Sequence, residues 1–176
     1  MKDFRIETER LVLLPVSPEF RGEMFEEYSP EVTRFMTHQT PDDISGTDEF
    51  IATSRANMEK GEEIVCCITL KETGEYLGNC GLHDIKTPTP RLGIWIKTSA
   101  HGHRFGREAV TALKKWADEN LTYEYLAYDV AKENWPSRRI AESLGGVVAK
   151  EEMKQYGGKP TPSLEYRIPQ NVLNPG

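Results

Sequence analysis

The stretch "LGIWIKTSAHGHRFGREAVTALKKWADEN", residues 92–120, holds three kinds of local pattern in succession. It opens on apolar, β-branched and aromatic residues, the composition of a strand. Residues 101–107 then set two glycines, Gly102 and Gly106, among His101, His103, Arg104 and Arg107. From Phe105 the period changes. Phe105, Ala109, Ala112, Leu113 and Trp116 recur at i, i+4, i+7, i+8 and i+11, which is one face of a helix. Strand, short glycine loop and long helix in this order predict an α/β domain whose main helix starts at the loop.

A helix start carries unpaired backbone N–H groups and a partial positive charge, which makes it a ready anion site. Gly102 and Gly106 let the backbone approach a ligand closely and can adopt positive φ. Cationic side chains in the first turn oppose the helix dipole, at roughly 0.3–1 kcal/mol each when exposed. A bound phosphate would offset that cost. The same residues also fit a solvated helix start whose Arg and His point into water, and the residues alone leave the two readings even. The phosphate loop G-x-x-x-x-G-K-S/T is absent. The dinucleotide fingerprint G-x-G-x-x-G does not fit, because three residues separate the glycines. His101 and His103 lack third and fourth ligands nearby, so no metal site is expected.

Working outward, "RLVLLPV" reads as a first strand. Ser17 with Pro18, and Ser29 with Pro30, read as helix starts. "GTDEFIATSRANMEK" is helical, with Gly61 placed to stop it. "EEIVCCITL", "YLGNCGLHDI" and "RLGIWIK" read as antiparallel strands. After the long helix come a strand, "YEYLAYDV", and a short helix, "WPSRRIAESL", with Gly145 at its end. "GVVAKEEMKQY" and "SLEYRIP" close the sheet around a turn at "GGKPTP". The fold class is mixed α/β: one domain over residues 1–176, core about 6–168, with a central, mostly antiparallel twisted sheet flanked by helices.

The chain of 176 residues is long enough for a sizeable core. No apolar run approaches the ~20 residues of a membrane helix, and "MKDFRIETER" lacks the apolar core of a signal peptide. A cytoplasmic location without membrane contact is therefore expected. The net charge of −6 argues against nonspecific nucleic-acid binding. Cys66, Cys67 and Cys80 lie in strand-like runs and read as buried small hydrophobes.

"LGIWI", then "HGHRFGREAV", then "ENWPSRRIAESLGG" resembles the GNAT superfamily of acyl-CoA-dependent N-acyltransferases. "ETERLVLLPV" resembles the opening strand of its RimJ/RimL-like branch, usually ERL-x-L-R-P. The resemblance runs from about residue 6 to residue 168. It implies acetyl-CoA as cosubstrate, an amine acceptor and strands splayed at the acyl-CoA cleft. The family's pyrophosphate loop, Q/R-x-x-G-x-G/A, falls on His101, Gly102, His103, Arg104, Phe105 and Gly106, with Arg107 following. His101 replaces Gln or Arg, and Arg104 replaces the central glycine, which is acceptable if its φ stays negative. "GIWI" matches the strand that pairs with the pantetheine arm, pointing to Trp95 and Ile96. Asn134 and Ser137 match the family's N-x-x-S near the thiol end.

The implied reaction is direct attack of an amine on the thioester in a ternary complex. The tyrosine that many members use as acid is Ala141 here, so Ser137 is the expected substitute, with Asn134 beside it. His83 is the expected base on intrinsic pKa; Tyr128, Asp129 and Glu165 lie on strands whose facing alternation alone does not settle. "RFMTHQTPDD" and "QYGGKPTP" are the expected rims of the acceptor cleft, for a protein N-terminus or a small-molecule amine. A noncatalytic acyl-CoA-binding regulatory module and an anion- or RNA-binding domain are the alternatives. A homodimer is compatible with the resemblance.

Overall fold

Burial on both faces sets the centre of the sheet. "IVCCITL" forms β3 (Ile64–Leu70), whose first six residues are buried whichever way they point. Around it the computed structural model, which describes residues 3–171, arranges an eight-stranded sheet in the order β1-β2-β3-β4-β5-β6-β8-β7. The remaining strands are β1 (Ile6–Glu7), β2 (Leu11–Pro15), β4 (Tyr76–His83), β5 (Arg91–Ile96), β6 (Tyr125–Ala131), β7 (Val147–Tyr156) and β8 (Lys159–Pro169). All neighbours are antiparallel except β5 and β6, joined by the long helix as a parallel crossover requires.

Two apolar clusters cover the two faces. Ile64, Cys66 and Ile68 of β3 join Leu11, Leu13, Tyr128, Tyr166 and the buried stripe Ala109, Val110, Leu113 and Ala117 of α4 (Phe105–Asn120). That face also receives α5 (Trp135–Ser143) through Ala141. The alternate residues Val65 and Cys67 face the other way, with Val16, Met24, Ile51 and Tyr76. Helices α1 (Arg21–Glu27) and α3 (Ile44–Glu59) cover that second face, after the short α2 (Pro30–Thr33) between them. The three cysteines are free and buried.

Two local expectations are corrected. Ser17 precedes a 3₁₀ turn, Pro18–Phe20, and makes no side-chain cap, whereas Ser29 accepts from the Val32 N–H at 3.5 Å. The final turn is two residues, Gly157 and Gly158, both at positive φ, and residues 159–162 continue as strand. Prolines are tolerated there because a residue's N and O point to the same strand edge. The Pro162 carbonyl is taken by the Lys132 N–H, so its missing donor faces the side where β6 has ended, and Pro160 shares that parity.

Glu108 ties the first hairpin to α4. Its carboxylate accepts the Thr8 hydroxyl at 2.6 Å, the Arg10 N–H at 2.9 Å and Arg10 Nε at 2.7 Å. Burial pushes this carboxyl up, but those hydrogen bonds outweigh it and hold it below its usual range. Glu108→Ala should lower unfolding free energy by about 1–3 kcal/mol in urea titration, since it removes the carboxylate that Thr8 and Arg10 share. The wild-type contribution is complete above the ordinary carboxylate range near ~4.3 and is lost as pH falls through the lowered folded value.

Candidate active site

The crossover that joins β5 to β6 places a gap in the middle of the sheet. The two strands share one registered pair, Arg91↔Ala127, and then diverge, while β4 and β5 stay paired along their length. Antiparallel ladders alternate bonded and non-bonded pairs. The Lys97 N–H donates to the Leu77 carbonyl at 2.8 Å, so Trp95 and Gly93 also point their backbone groups at β4. Ile94 and Ile96 point theirs at β6, as Pro90 does when it accepts the Ala127 N–H at 2.8 Å. The backbone exposed to the gap is thus that of Ile94 and Ile96. Of the two residues that the sequence reading named, Ile96 turns its backbone to the gap and Trp95 does not. Its backbone belongs to the β4 ladder, and its ring packs on Tyr28 and Tyr76 with centroids 5.0 and 6.0 Å away. The parity of a lone parallel pair is invisible in sequence, which is why Ile94 was missed.

At the end of β5 the chain makes a 3₁₀ turn, Thr98–Ala100, and enters the glycine loop. Among the described residues, no backbone N–H of residues 102–107 has a hydrogen-bond partner, and the first donor used is that of Glu108, to Arg104. These are unpartnered N–H groups at a helix start, a feature that suits phosphate oxygens. His103 and Arg107 are exposed beside it, and Phe105 stacks on His103 with centroids 5.4 Å apart. Arg104 and Arg107 also line a groove of about 520 Å³ with Arg10 and Lys115.

Three loop residues differ from expectation. Arg104 has φ +61°, so a side chain occupies the left-handed conformation that suits glycine. Gly102 has positive φ as expected, but Gly106 is helical; a Cβ on it would meet Ile94, Ile140 and Ile96 at 3.4–3.5 Å. Gly106 therefore serves close packing of α4 on β5. His101 gives its backbone N–H to Thr98 at 3.1 Å, and its Nε2 lies 2.7 Å from the Ile96 carbonyl. It braces the loop against β5 and offers no free backbone donor.

Beyond the gap, Asn134 caps α5, its Oδ1 accepting the Ser137 N–H at 3.4 Å. Ser137 Oγ lies 2.6 Å from the hydroxyl of Tyr128, on the α4 and α5 face of β6. Burial pushes the Tyr128 hydroxyl up to about 12, although the Ser137 bond lowers it, so it keeps its proton near neutral pH. Asp129 and Glu165 are cross-strand partners on the opposite face, with Arg91 and Lys154. His83 is on that opposite face too, its Nδ1 2.8 Å from Glu63 Oε2. The expected set is therefore split between the two sides of the sheet, with the gap between them. The expected rims meet: the Gly157 N–H donates to the Met36 carbonyl at 3.1 Å, and Tyr28 donates to the His38 carbonyl at 2.9 Å. No group of three or more metal-ligating side chains occurs among the described residues, nor a helix long and apolar enough to cross a membrane.

The model of the acetyltransferase (GNAT) domain matches residues 10–147. The chain belongs to the GNAT acetyltransferase family. It is an N-acetyltransferase of mixed α/β fold. It is 29% identical over 140 residues to uncharacterized N-acetyltransferase p20 of Bacillus licheniformis, covering 78% of this chain and 79% of that protein. RimL, a ribosomal-protein alpha-N-acetyltransferase solved with coenzyme A, superposes with TM-score 0.85 at 14% identity, over 96% of this chain and 99% of that one. A GNAT-family acetyltransferase from Bacillus anthracis gives TM-score 0.81 at 17% identity, over 95% and 99%. Structural neighbours solved with coenzyme A or acetyl-CoA support acetyl-CoA as the cosubstrate of this GNAT domain.

The left-handed Arg104 is a local strain in this GNAT loop. An L-residue in that conformation costs roughly 1–2 kcal/mol relative to glycine. Arg104→Gly should therefore raise unfolding free energy by about 1 kcal/mol, read as a higher denaturant midpoint at an unchanged slope.

Proposed function

We propose that this GNAT protein moves an acetyl group from acetyl-CoA to an amine presented on the α1 and α3 face of the sheet. The observation that carries the reading is the run of unpartnered N–H groups at residues 102–107, a few residues after β5, the strand that borders the gap. One end receives a pyrophosphate. The Ile94 and Ile96 backbone holds the extended arm, and an N–H in the gap polarises the thioester carbonyl as an oxyanion hole does.

His83 is the base in this reading. Its Nδ1 is engaged by the Glu63 carboxylate, which fixes the ring and leaves Nε2 to accept a proton. Ser137 is the acid. Its hydroxyl gives a proton to the departing thiolate and is resupplied by Tyr128, 2.6 Å away. The Tyr128–Ser137 pair replaces the tyrosine missing at Ala141. The new N–C bond forms on the face of His83, and the C–S bond breaks on the face of Ser137.

Calorimetric titration with acetyl-CoA, beside dephospho-CoA and ADP, tests the cofactor half; saturable one-site binding that prefers acetyl-CoA is expected. Arg107→Glu separates the site from the fold. A carboxylate in the first turn suits the helix dipole, so stability should hold or rise, while acetyl-CoA affinity falls roughly tenfold or more through loss of one cation and gain of one anion. Ser137→Ala should lower kcat by about 10²-fold with acetyl-CoA affinity unchanged. Binding without turnover of any amine would leave a CoA-binding module instead.

A further inference from the structure

The last strand of the sheet has a bare edge. β7 pairs with β8 and has no strand on its other side among the described residues. The Pro162 carbonyl faces β6, so its cross-strand partner Met153 turns its N–H and C=O away from β8, to the open edge. Glu151 and Gln155 share that parity, because the register is regular from Lys150 to Tyr156. A long open edge is a template for pairing unless something guards it. Three of the five large apolar side chains exposed among the described residues, Val147, Val148 and Met153, lie on this strand. Pro162 has the parity of Leu164 and Tyr166, so Met153 stands on the α4 and α5 face. There Pro160, Pro162 and the exposed Trp135 line a groove of about 650 Å³. The charges of β7 are not free to guard the edge. Lys132 holds Glu151 at 2.9 Å, Lys150 holds Glu152 at 2.6 Å, and Lys154 meets Asp129 at 2.9 Å.

We propose that the occupant of this edge is β7 of a second copy of the chain, paired antiparallel about a two-fold axis at Met153. A two-fold axis perpendicular to the sheet sets like faces together and places one residue opposite itself. Centring the pair on Lys150, Glu151, Glu152 or Lys154 opposes like charges at the axis. Centring it on Gln155 or Tyr156 leaves only the hairpin end to pair. Centring it on Met153 sets Met153 against the partner's Met153, Glu152 against the partner's Lys154, Glu151 against the partner's Gln155 and Lys150 against the partner's Tyr156. No like charges are opposed, the whole regular run is used, and the opposite-charge and apolar pairs are those that stabilise a ladder. The outward N–H and C=O groups of Glu151, Met153 and Gln155 then bond across the axis. The other edge of the sheet, β1, is two residues long, too short a template to extend the assembly, so association stops at the dimer. The inference does not rest on the acetyl-transfer reading.

Sedimentation velocity of the full chain over a concentration series tests the proposal, and a reversible dimer with nothing larger is expected. Met153→Pro removes an outward N–H and leaves the β7 and β8 ladder its bonds, since proline is tolerated where the N–H faces an open edge. Its circular dichroism should match wild type, while self-association weakens roughly tenfold or more through loss of the central bonded pair. Met153→Cys reads the register without removing a backbone donor. Under diamide it should cross-link to a dimer, because residues opposite in a bonded pair have Cα atoms ~5.5 Å apart, within disulfide reach. Phe50→Cys, exposed on α3, should not cross-link, and wild type, whose three cysteines are buried, is the blank. A wild type that stays monomeric at every concentration overturns the proposal. So does a dimer that survives Met153→Pro, a dimer in which Met153→Cys fails to cross-link, or assembly beyond the dimer.

Discussion

The structure depends on a sheet that stops pairing in its own middle. Backbone N–H and C=O groups are otherwise satisfied by neighbouring strands, and an unpaired buried group costs about 1–3 kcal/mol. Here β5 and β6 keep one registered pair and then part. A second irregularity lies in the neighbouring ladder. The β3 and β4 ladder shifts register between Ile68 and Thr69, and a bulge bends and twists the strand that carries it. Gly78 sits at that shift with φ +151°, where a Cβ would stand 2.2 Å from the Trp95 carbonyl, so only glycine lets β4 and β5 turn together. Ile94 and Ile96 turn their backbone groups to the β6 side, where no strand pairs with them and the Ile96 carbonyl is met by His101 Nε2.

Around that gap the two faces of the sheet divide the chemistry. The face under α4 and α5 carries the helix start, Ser137 and Tyr128. The opposite face carries His83 with Glu63, and a run of charges from Arg91 through Asp129 to Lys154 and Glu152. His83 and the Tyr128–Ser137 pair therefore stand on opposite faces of the sheet. The meeting of Met36 with Gly157 closes one end of the second face, and glycine is needed there because a Cβ would lie 3.0 Å from the Arg34 backbone.

The loop shows how local cost and function are traded. Arg104 holds a conformation that glycine adopts freely. The surrounding contacts over-determine it: Arg10 bonds the His103 carbonyl at 3.0 Å, Glu108 anchors Arg10, and His101 braces Ile96. The strained residue sits among six successive N–H groups that have no partner, while Gly106, whose conformation is ordinary, packs inward.

Much of this was legible in the sequence. Apolar periodicity located the strands and α4, glycine and proline marked the boundaries, and the order of motifs implied the family, because these signals act over a few residues. The register of β5 against β6, the face on which Asp129 lies and the partners of His83 and Ser137 were not legible. Alternation assigns residues to two faces without saying which face meets which helix, and Glu63 with His83 or Tyr128 with Ser137 come together only through the packing of separate elements. The sequence by itself determined the elements and a helix start suited to an anion. The tertiary structure decided which backbone groups open onto the gap and which side chains stand on either side of it, since strand pairing and helix docking are set by contacts distant along the chain.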